Sequence, residues 1–255
     1  MSGVLAEILA TKAAEVVELR KRSFGPPPAR RPLSLARSPG EPLRLITEIK
    51  RRSPSAGVLS TKLGVAERAR VYERGGASML SILCDATYFD GRFEHLTEAR
   101  EACALPLLCK EFVVDEVQLD AARSFGADAV LLIVRCLETP RVRALIEAAR
   151  ERELEPFVEV ASEEEARLAV DAGATLVGVN ARDLDALVLD TARAARILET
   201  LPAAVVAVHL SGLKSPETVT AVARSRAHAA LIGEILMRQD DPAPLLASLV
   251  AAARG

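Results

Sequence analysis

Glu48 and Lys50 stand two residues apart at the end of an apolar run, in the stretch Leu43 to Gly57 that reads LRLITEIKRRSPSAG. Residues two apart in a strand share a face, so an acid and a base would project together from the end of an otherwise apolar element. Charges so placed are costly to bury unless they pair or meet a ligand, which makes this a candidate catalytic strand end. The Ser-Pro-Ser-Ala-Gly that follows is a turn signal. Lys110, then Glu159, then Asn180 with Arg182, then Ser211-Gly212 and finally Gly233-Glu234 each follow a short apolar run in the same way. A lysine whose pKa is lowered by its neighbours can act as a general acid, and a nearby ionised glutamate as a base. Schiff-base chemistry on a ketone is the rival use of such a lysine. Only 6 of the 33 basic residues are lysines, so a lysine at a strand end says more here than in a chain that uses lysine for plain surface charge.

The elements that must position these residues alternate regularly. Helical patterns near 65–74, 115–125, 140–152, 163–172, 191–198, 216–224 and 244–253 are interleaved with apolar runs at 77–83, 105–109, 127–134, 155–160, 175–179, 203–210 and 229–233. With the opening run, this gives about eight strand-helix units whose strands are too apolar to have a wet face. Such a pattern predicts a parallel sheet covered by helices, and eight units predict an α/β fold of the (β/α)8 TIM barrel type. A doubly wound open sheet is the alternative, but no G-x-G-x-x-G opens a helix after the first strand. Gly76, Gly126 and Gly173 stand where helices stop and strands begin, as helix C-caps at the base of the barrel. Ahead of the barrel, Leu5, Ile8, Leu9, Val16 and Leu19 predict an amphipathic helix over 4–22. The Pro-, Arg- and Ser-rich residues that follow read as a linker. The expected division is a helical extension with linker, 1–42, and a catalytic barrel, 43–255.

Composition narrows the function. With 255 residues, half of them hydrophobic, the chain can bury a large core. A net charge of −2 offers no field to collect nucleic acid, and the clusters at 20–22, 30–31 and 50–52 have no aromatic residues between them. No apolar run approaches the ~20 residues of a membrane helix, and Glu7, Glu15 and Glu18 do not suit a signal peptide. The cytoplasm is the expected compartment. Cys84, Cys103, Cys109 and Cys136 lack CxxC spacing, and His95, His209 and His228 are scattered, so no metal is expected and the cysteines read as small reduced core residues.

In barrels the chemistry sits at the C-terminal strand ends, and a phosphate commonly binds at the last two loops. Ser211-Gly212, followed by Lys214, Ser215 and Pro216, and Gly233-Glu234 put glycine where backbone N–H groups could approach an anion, and Ser53 with Lys50 or Arg51 could add donors. A phosphorylated substrate is expected.

These residues stand in stretches that resemble one family. EIKRRSPS at Glu48, CKEF at Lys110, GADAVLLI at Gly126, FVEV at Glu159, GVNARDL at Asn180 and the tail LIGEILMR are similar to indole-3-glycerol phosphate synthase of tryptophan biosynthesis, over nearly the whole chain. The resemblance implies a cofactor-free ring closure of 1-(2-carboxyphenylamino)-1-deoxyribulose 5-phosphate, with loss of CO₂ and water. It implies that Lys110 is the general acid at the ketone, Glu159 the acid/base partner in dehydration, and Lys50, held by Glu48, an anchor that assists proton transfer. Asn180 and Arg182 would hold hydroxyl and carboxylate groups, and Phe89, Phe112 and Leu131 would line the ring pocket. Ser53, Ser211, Gly212, Gly233 and Glu234 would hold the phosphate, Glu234 through its backbone. A monomer is expected, with other tryptophan-pathway enzymes as candidate partners.

One position departs from the family, which usually has Glu-Ser-Gly where this chain has Leu210-Ser211-Gly212 after His209. The readings are an enzyme of lower efficiency, compensation by His209, a paralogue acting on a related phosphosugar, or a barrel that binds a phosphorylated ligand without turnover. Strand alternation puts His209 and Leu210 on opposite faces, and a locally hydrogen-bonded, barrel-filling histidine is the alternative reading. Phosphoribosylanthranilate isomerase, another phosphosugar barrel, opens with a cysteine on its first strand where this chain has Glu48 and Lys50.

Overall fold

The computed structural model describes residues 4–53, 57–183 and 188–255. Pro54 and Ser55 of the first motif and Leu184 of GVNARDL lie outside them. Eight parallel strands close into a barrel in sequence order: β1 (Arg44–Ile49), β2 (Met79–Leu83), β3 (Leu107–Lys110), β4 (Ala129–Ile133), β5 (Glu155–Val160), β6 (Leu176–Asn180), β7 (Val206–Leu210) and β8 (Ala229–Ile232). Closure runs from β8 back to β1, with Arg44 opposite Ala229 and Thr47 opposite Ile232. The fold is the (β/α)8 barrel that the alternation predicts. Two features lay beyond the sequence pattern. A two-stranded ribbon, Arg52–Ser53 against Gly57–Val58, rises from the loop after β1, and the polar stretch after β2 holds two helices, Ala86–Phe89 and Glu94–Ala102.

Local chemistry sets the helix ends. Asp115, Ser162 and Asp190 accept hydrogen bonds from Val117 N, Glu165 N and Arg193 N, capping three helices. Gly76, Gly126 and Gly173 take φ of 91°, 102° and 93° just after helices, a left-handed turn that glycine adopts at little cost.

Alternation along the strands sorts side chains into two layers. Ile46, Met79, Leu108, Leu131, Phe157, Leu176, Val208 and Leu231 fill the barrel interior, while Leu45, Leu80, Val130, Val158 and Val177 pack under the helices. Phe157 is fully buried, and the space it fills is left by Gly178 on the next strand, where a Cβ would lie 2.4 Å from the ring. Two residues beyond Ile46, Leu108, Phe157 and Gly178 come Glu48, Lys110, Glu159 and Asn180, so the same period directs all four side chains inward at the top of the barrel.

The residues before β1 span both ends of the barrel. Helix α1 (Val4–Leu19) packs on the helix Glu116–Ser124. The segment after it has no regular structure but is held firmly, with Ser124 Oγ and Arg123 Nη1 donating to the carbonyls of Gly25 and Pro28. At the base, Arg31 N donates to buried Asp128 at 2.7 Å, Arg37 reaches the carbonyls of Ala223, Ser225 and Ala227, and Leu35 joins the interior cluster. The expected linker is therefore a strap whose leucine plugs the bottom of the barrel.

Three cysteines are buried as expected, and Cys136 is only partly covered. It follows β4 in a single 3₁₀ turn, Val134–Cys136.

Candidate active site

A cavity of about 380 Å³ opens at the C-terminal ends of the strands, and all fourteen residues singled out in the sequence line it. Glu48, Lys50 and Ser53 border it from β1 and its loop, Phe89 from the loop after β2, and Lys110 and Phe112 from β3 and its loop. Leu131 comes from β4, Glu159 from β5, Asn180 and Arg182 from β6, and Ser211, Gly212, Gly233 and Glu234 from the last two loops.

Three contacts order the polar wall. Lys50 Nζ donates to Glu48 Oε1 at 2.7 Å. Burial works to push the Glu48 carboxyl up, but Lys50 and Lys110 outweigh it and hold the group below the usual carboxylate range. Asn180 Nδ2 donates to Glu159 Oε1 at 2.8 Å, and its Oδ1 accepts from Arg182 N at 3.0 Å, which fixes the orientation of the amide. Glu159 Oε2 has no hydrogen-bond partner among the described residues and faces Lys110 Nζ at 4.0 Å. A buried carboxylate oxygen without a hydrogen-bond partner beside an ammonium is costly and is suited to proton transfer with a substrate lying between the two.

The opposite wall combines turns and apolar surface. Ser211 and Gly212 both take positive φ, 69° and 82°. Gly233 is required for a different reason: a Cβ there would lie 2.6 Å from Glu48 Oε1, so this glycine makes room for the acid of the first strand. The Glu234 carboxylate pairs with Arg238 at 2.9 Å. Buried Arg68 donates to the carbonyls of Leu236 and Gln239 and so ties this loop to the helix Val65–Arg74.

Leu210 lies opposite Asn180 in the β6–β7 ladder and lines the cavity, packed over Gly178. His209 is buried on the other face of β7, outside the cavity lining, with Nε2 bonded to the carbonyl of Ser211 at 3.0 Å. Burial pushes its imidazole below the ordinary value. It does not replace a carboxylate at position 210, and it does not fill the barrel either, since the interior positions of β7 are Val206, Val208 and Leu210.

The sequence reasoning missed Leu5 and Ile8 of α1, which line the cavity, and Glu111, the neighbour of Lys110. It also missed Lys12, whose side chain is wholly buried. A signal for Lys12 existed: it stands four residues from Ile8 and four from Val16, in the middle of the apolar stripe.

A family model described as indole-3-glycerol phosphate synthase matches residues 5–249. The chain belongs to the indole-3-glycerol phosphate synthase family. It is 41% identical over 256 residues to the indole-3-glycerol phosphate synthase of Kineococcus radiotolerans, covering 99% of this chain and 93% of that one. It is 38% identical over 245 residues to that of an Exiguobacterium species, covering 96% and 95%. Among solved structures, a 3-hexulose-6-phosphate synthase matches with TM-score 0.67 and 19% identity, over 82% of this chain and 99% of that one. A thiamine phosphate pyrophosphorylase from Pyrococcus furiosus matches at 0.64 and 19%, over 83% and 95%. The structural likenesses speak to the barrel alone, whereas the family match spans α1 and the strap as well as all eight strands. No helix among the described residues is long and apolar enough to cross a membrane.

Proposed function

We propose that this chain converts 1-(2-carboxyphenylamino)-1-deoxyribulose 5-phosphate to indole-3-glycerol phosphate, CO₂ and water, within tryptophan biosynthesis. The observation that supports this best is the open Glu159 Oε2 facing Lys110 Nζ at 4.0 Å, an acid/base pair fixed on two strand ends in a cavity of about 380 Å³.

In this reading Phe89, Phe112 and Leu131 hold the aryl ring and Arg182 its carboxylate. Lys110 donates to the ketone oxygen as the carboxylated ring carbon attacks the ketone carbon. Carbon dioxide then leaves from that ring carbon, and its bonding electrons return to the ring. Loss of the new hydroxyl as water, with Glu159 shuttling the proton, completes the indole. Asn180 holds Glu159 and reaches a substrate hydroxyl. Lys50 anchors the substrate, its own place set by Glu48. Ser53 and the backbone of Ser211, Gly212, Gly233 and Glu234 receive the phosphate. Residues 1–42 act as an extension that serves the barrel of 43–255, and the protein works as a cytoplasmic monomer, with other tryptophan-pathway enzymes as partners.

The test is to incubate purified protein with the carboxyphenylamino substrate and follow indole fluorescence. Steady product formation by the wild type and none above background for Lys110→Ala is expected. No product from the wild type refutes the proposal. Leu210 motivates a second reading, a barrel that binds the phosphorylated ligand without turnover, and tight binding with no product would favour it.

A further inference from the structure

Lys12 is a fully buried cation near the site, yet it belongs to α1 and to none of the strand ends. Its Nζ lies 2.7 Å from Asp85 Oδ2, 2.9 Å from Glu111 Oε1 and 2.6 Å from Glu15 Oε2. Asp85 and Glu111 are themselves buried, at 0% and 2% exposure, while Glu15 reaches solvent. Each buried carboxylate also holds a piece of main chain. Asp85 Oδ1 accepts from Tyr88 N at 2.7 Å and Phe89 N at 3.2 Å, capping the helix Ala86–Phe89. Glu111 Oε1 accepts from Phe112 N at 2.7 Å. Of the three backbone amides that these carboxylates hold, two are therefore those of Phe89 and Phe112. The rings of these residues face each other with centroids 6.1 Å apart on the wall of the cavity.

Two carboxylates buried this closely need a cation, because without one desolvation and mutual repulsion favour taking up a proton. Even with Lys12 in place, burial pushes the Glu111 carboxyl up to about 7. A protonated carboxyl is a weaker acceptor for an amide than a carboxylate, so loss of the cation would loosen the amides of both phenylalanines. The same helix brings Leu5 and Ile8 to the cavity.

We propose that Lys12 is a positioning residue for the aromatic part of the substrate: from the N-terminal helix it neutralises Asp85 and Glu111, and through them it sets the spacing of Phe89 and Phe112. This inference rests on the proposed function, in which those rings hold the aryl group. Of the residues proposed for the phosphate, Ser211, Gly212, Gly233 and Glu234 follow β7 and β8, which β1 separates from β2 and β3 in the barrel; only Ser53 has a chain neighbour, Arg52, bonded to the helix Ala86–Phe89, through the carbonyls of Thr87 and Tyr88.

That separation gives the test. Lys12→Met and Lys12→Arg enzymes are compared with wild type for KM and kcat on the carboxyphenylamino substrate, and for inhibition by inorganic phosphate. Lys12→Met is expected to raise KM at least tenfold while the phosphate inhibition constant stays within twofold, and Lys12→Arg to restore most of the KM. Asp85→Asn keeps the acceptor for the helix cap but drops the charge, and it is expected to raise KM about threefold with the same selectivity; it carries the test should Lys12→Met not fold. An unchanged KM in these variants, or phosphate inhibition weakened in proportion to KM, overturns the inference, the latter because it would mark a general loosening of the barrel. A wild type that makes no product overturns the functional reading and this inference with it, whereas an active wild type with indifferent variants overturns this inference alone.

Discussion

An alanine at position 233 would place a methyl carbon 2.6 Å from Glu48 Oε1, 3.2 Å from its Cδ and 3.0 Å from its Cβ. The backbone there has φ −128° and ψ −71°, outside the left-handed region, so the penalty of Gly233→Ala arises from contact with Glu48. Optimal carbon contacts lie near 3.5–4.0 Å, and Glu48 has little freedom to retreat because it is 3% exposed and bonded to Lys50 at 2.7 Å. Forcing an extra carbon into so close a site costs about 1–3 kcal/mol, a fall in Tm of about 2–12 °C at about 2–4 °C per kcal/mol for a chain of this size. Displacement of Glu48 should also release Lys50 and lower kcat/KM. A double-mutant cycle isolates the cause. Glu48→Ala removes the two carboxylate contacts and leaves, of these three, the 3.0 Å approach of two carbons, which slight backbone movement relieves, so Gly233→Ala should cost at least about 1 kcal/mol less in that background. Thermal melts of the four proteins supply the measurement. Equal costs with and without the Glu48 carboxylate would refute the reasoning and assign the glycine to another constraint.

Two further perturbations follow from the same geometry. Leu210→Glu introduces a carboxylate opposite Asn180 and should raise kcat/KM by about tenfold or more, since a hydrogen bond to a charged group is worth about 1.5–3 kcal/mol; an unchanged or lower value would mean the site has adapted around leucine. Glu111 remains protonated in the folded state up to about pH 7 instead of its ordinary 4.5 because burial outweighs the pull of Lys12. The folded protein then binds more protons than the unfolded chain between those values, so stability falls as pH rises through this window, by about 3 kcal/mol from this group. Urea unfolding at pH 5 and pH 7.5 should show that decline in the wild type and its loss in Glu111→Gln, and equal declines would exclude Glu111 as the source.

The amino-acid sequence by itself determined the barrel and the inward set of the polar wall. The period of two that places Ile46, Leu108 and Phe157 in the core also places Glu48, Lys110 and Glu159 above them, and that period is a local property of the chain. It determined the base of the repeat too, because the glycines at 76, 126 and 173 answer a backbone requirement within their own turns. Tertiary structure decided what covers the site and what holds it. Lys12 reads as one charge on a helix until folding brings it to Asp85 and Glu111, and residues 24–42 read as a linker until Leu35 enters the core. The need for glycine at 233 is visible only when β8 closes against β1 and meets Glu48. Each of these is a contact between segments far apart in sequence, whose energy depends on burial and distance, and neither is fixed until the barrel is closed.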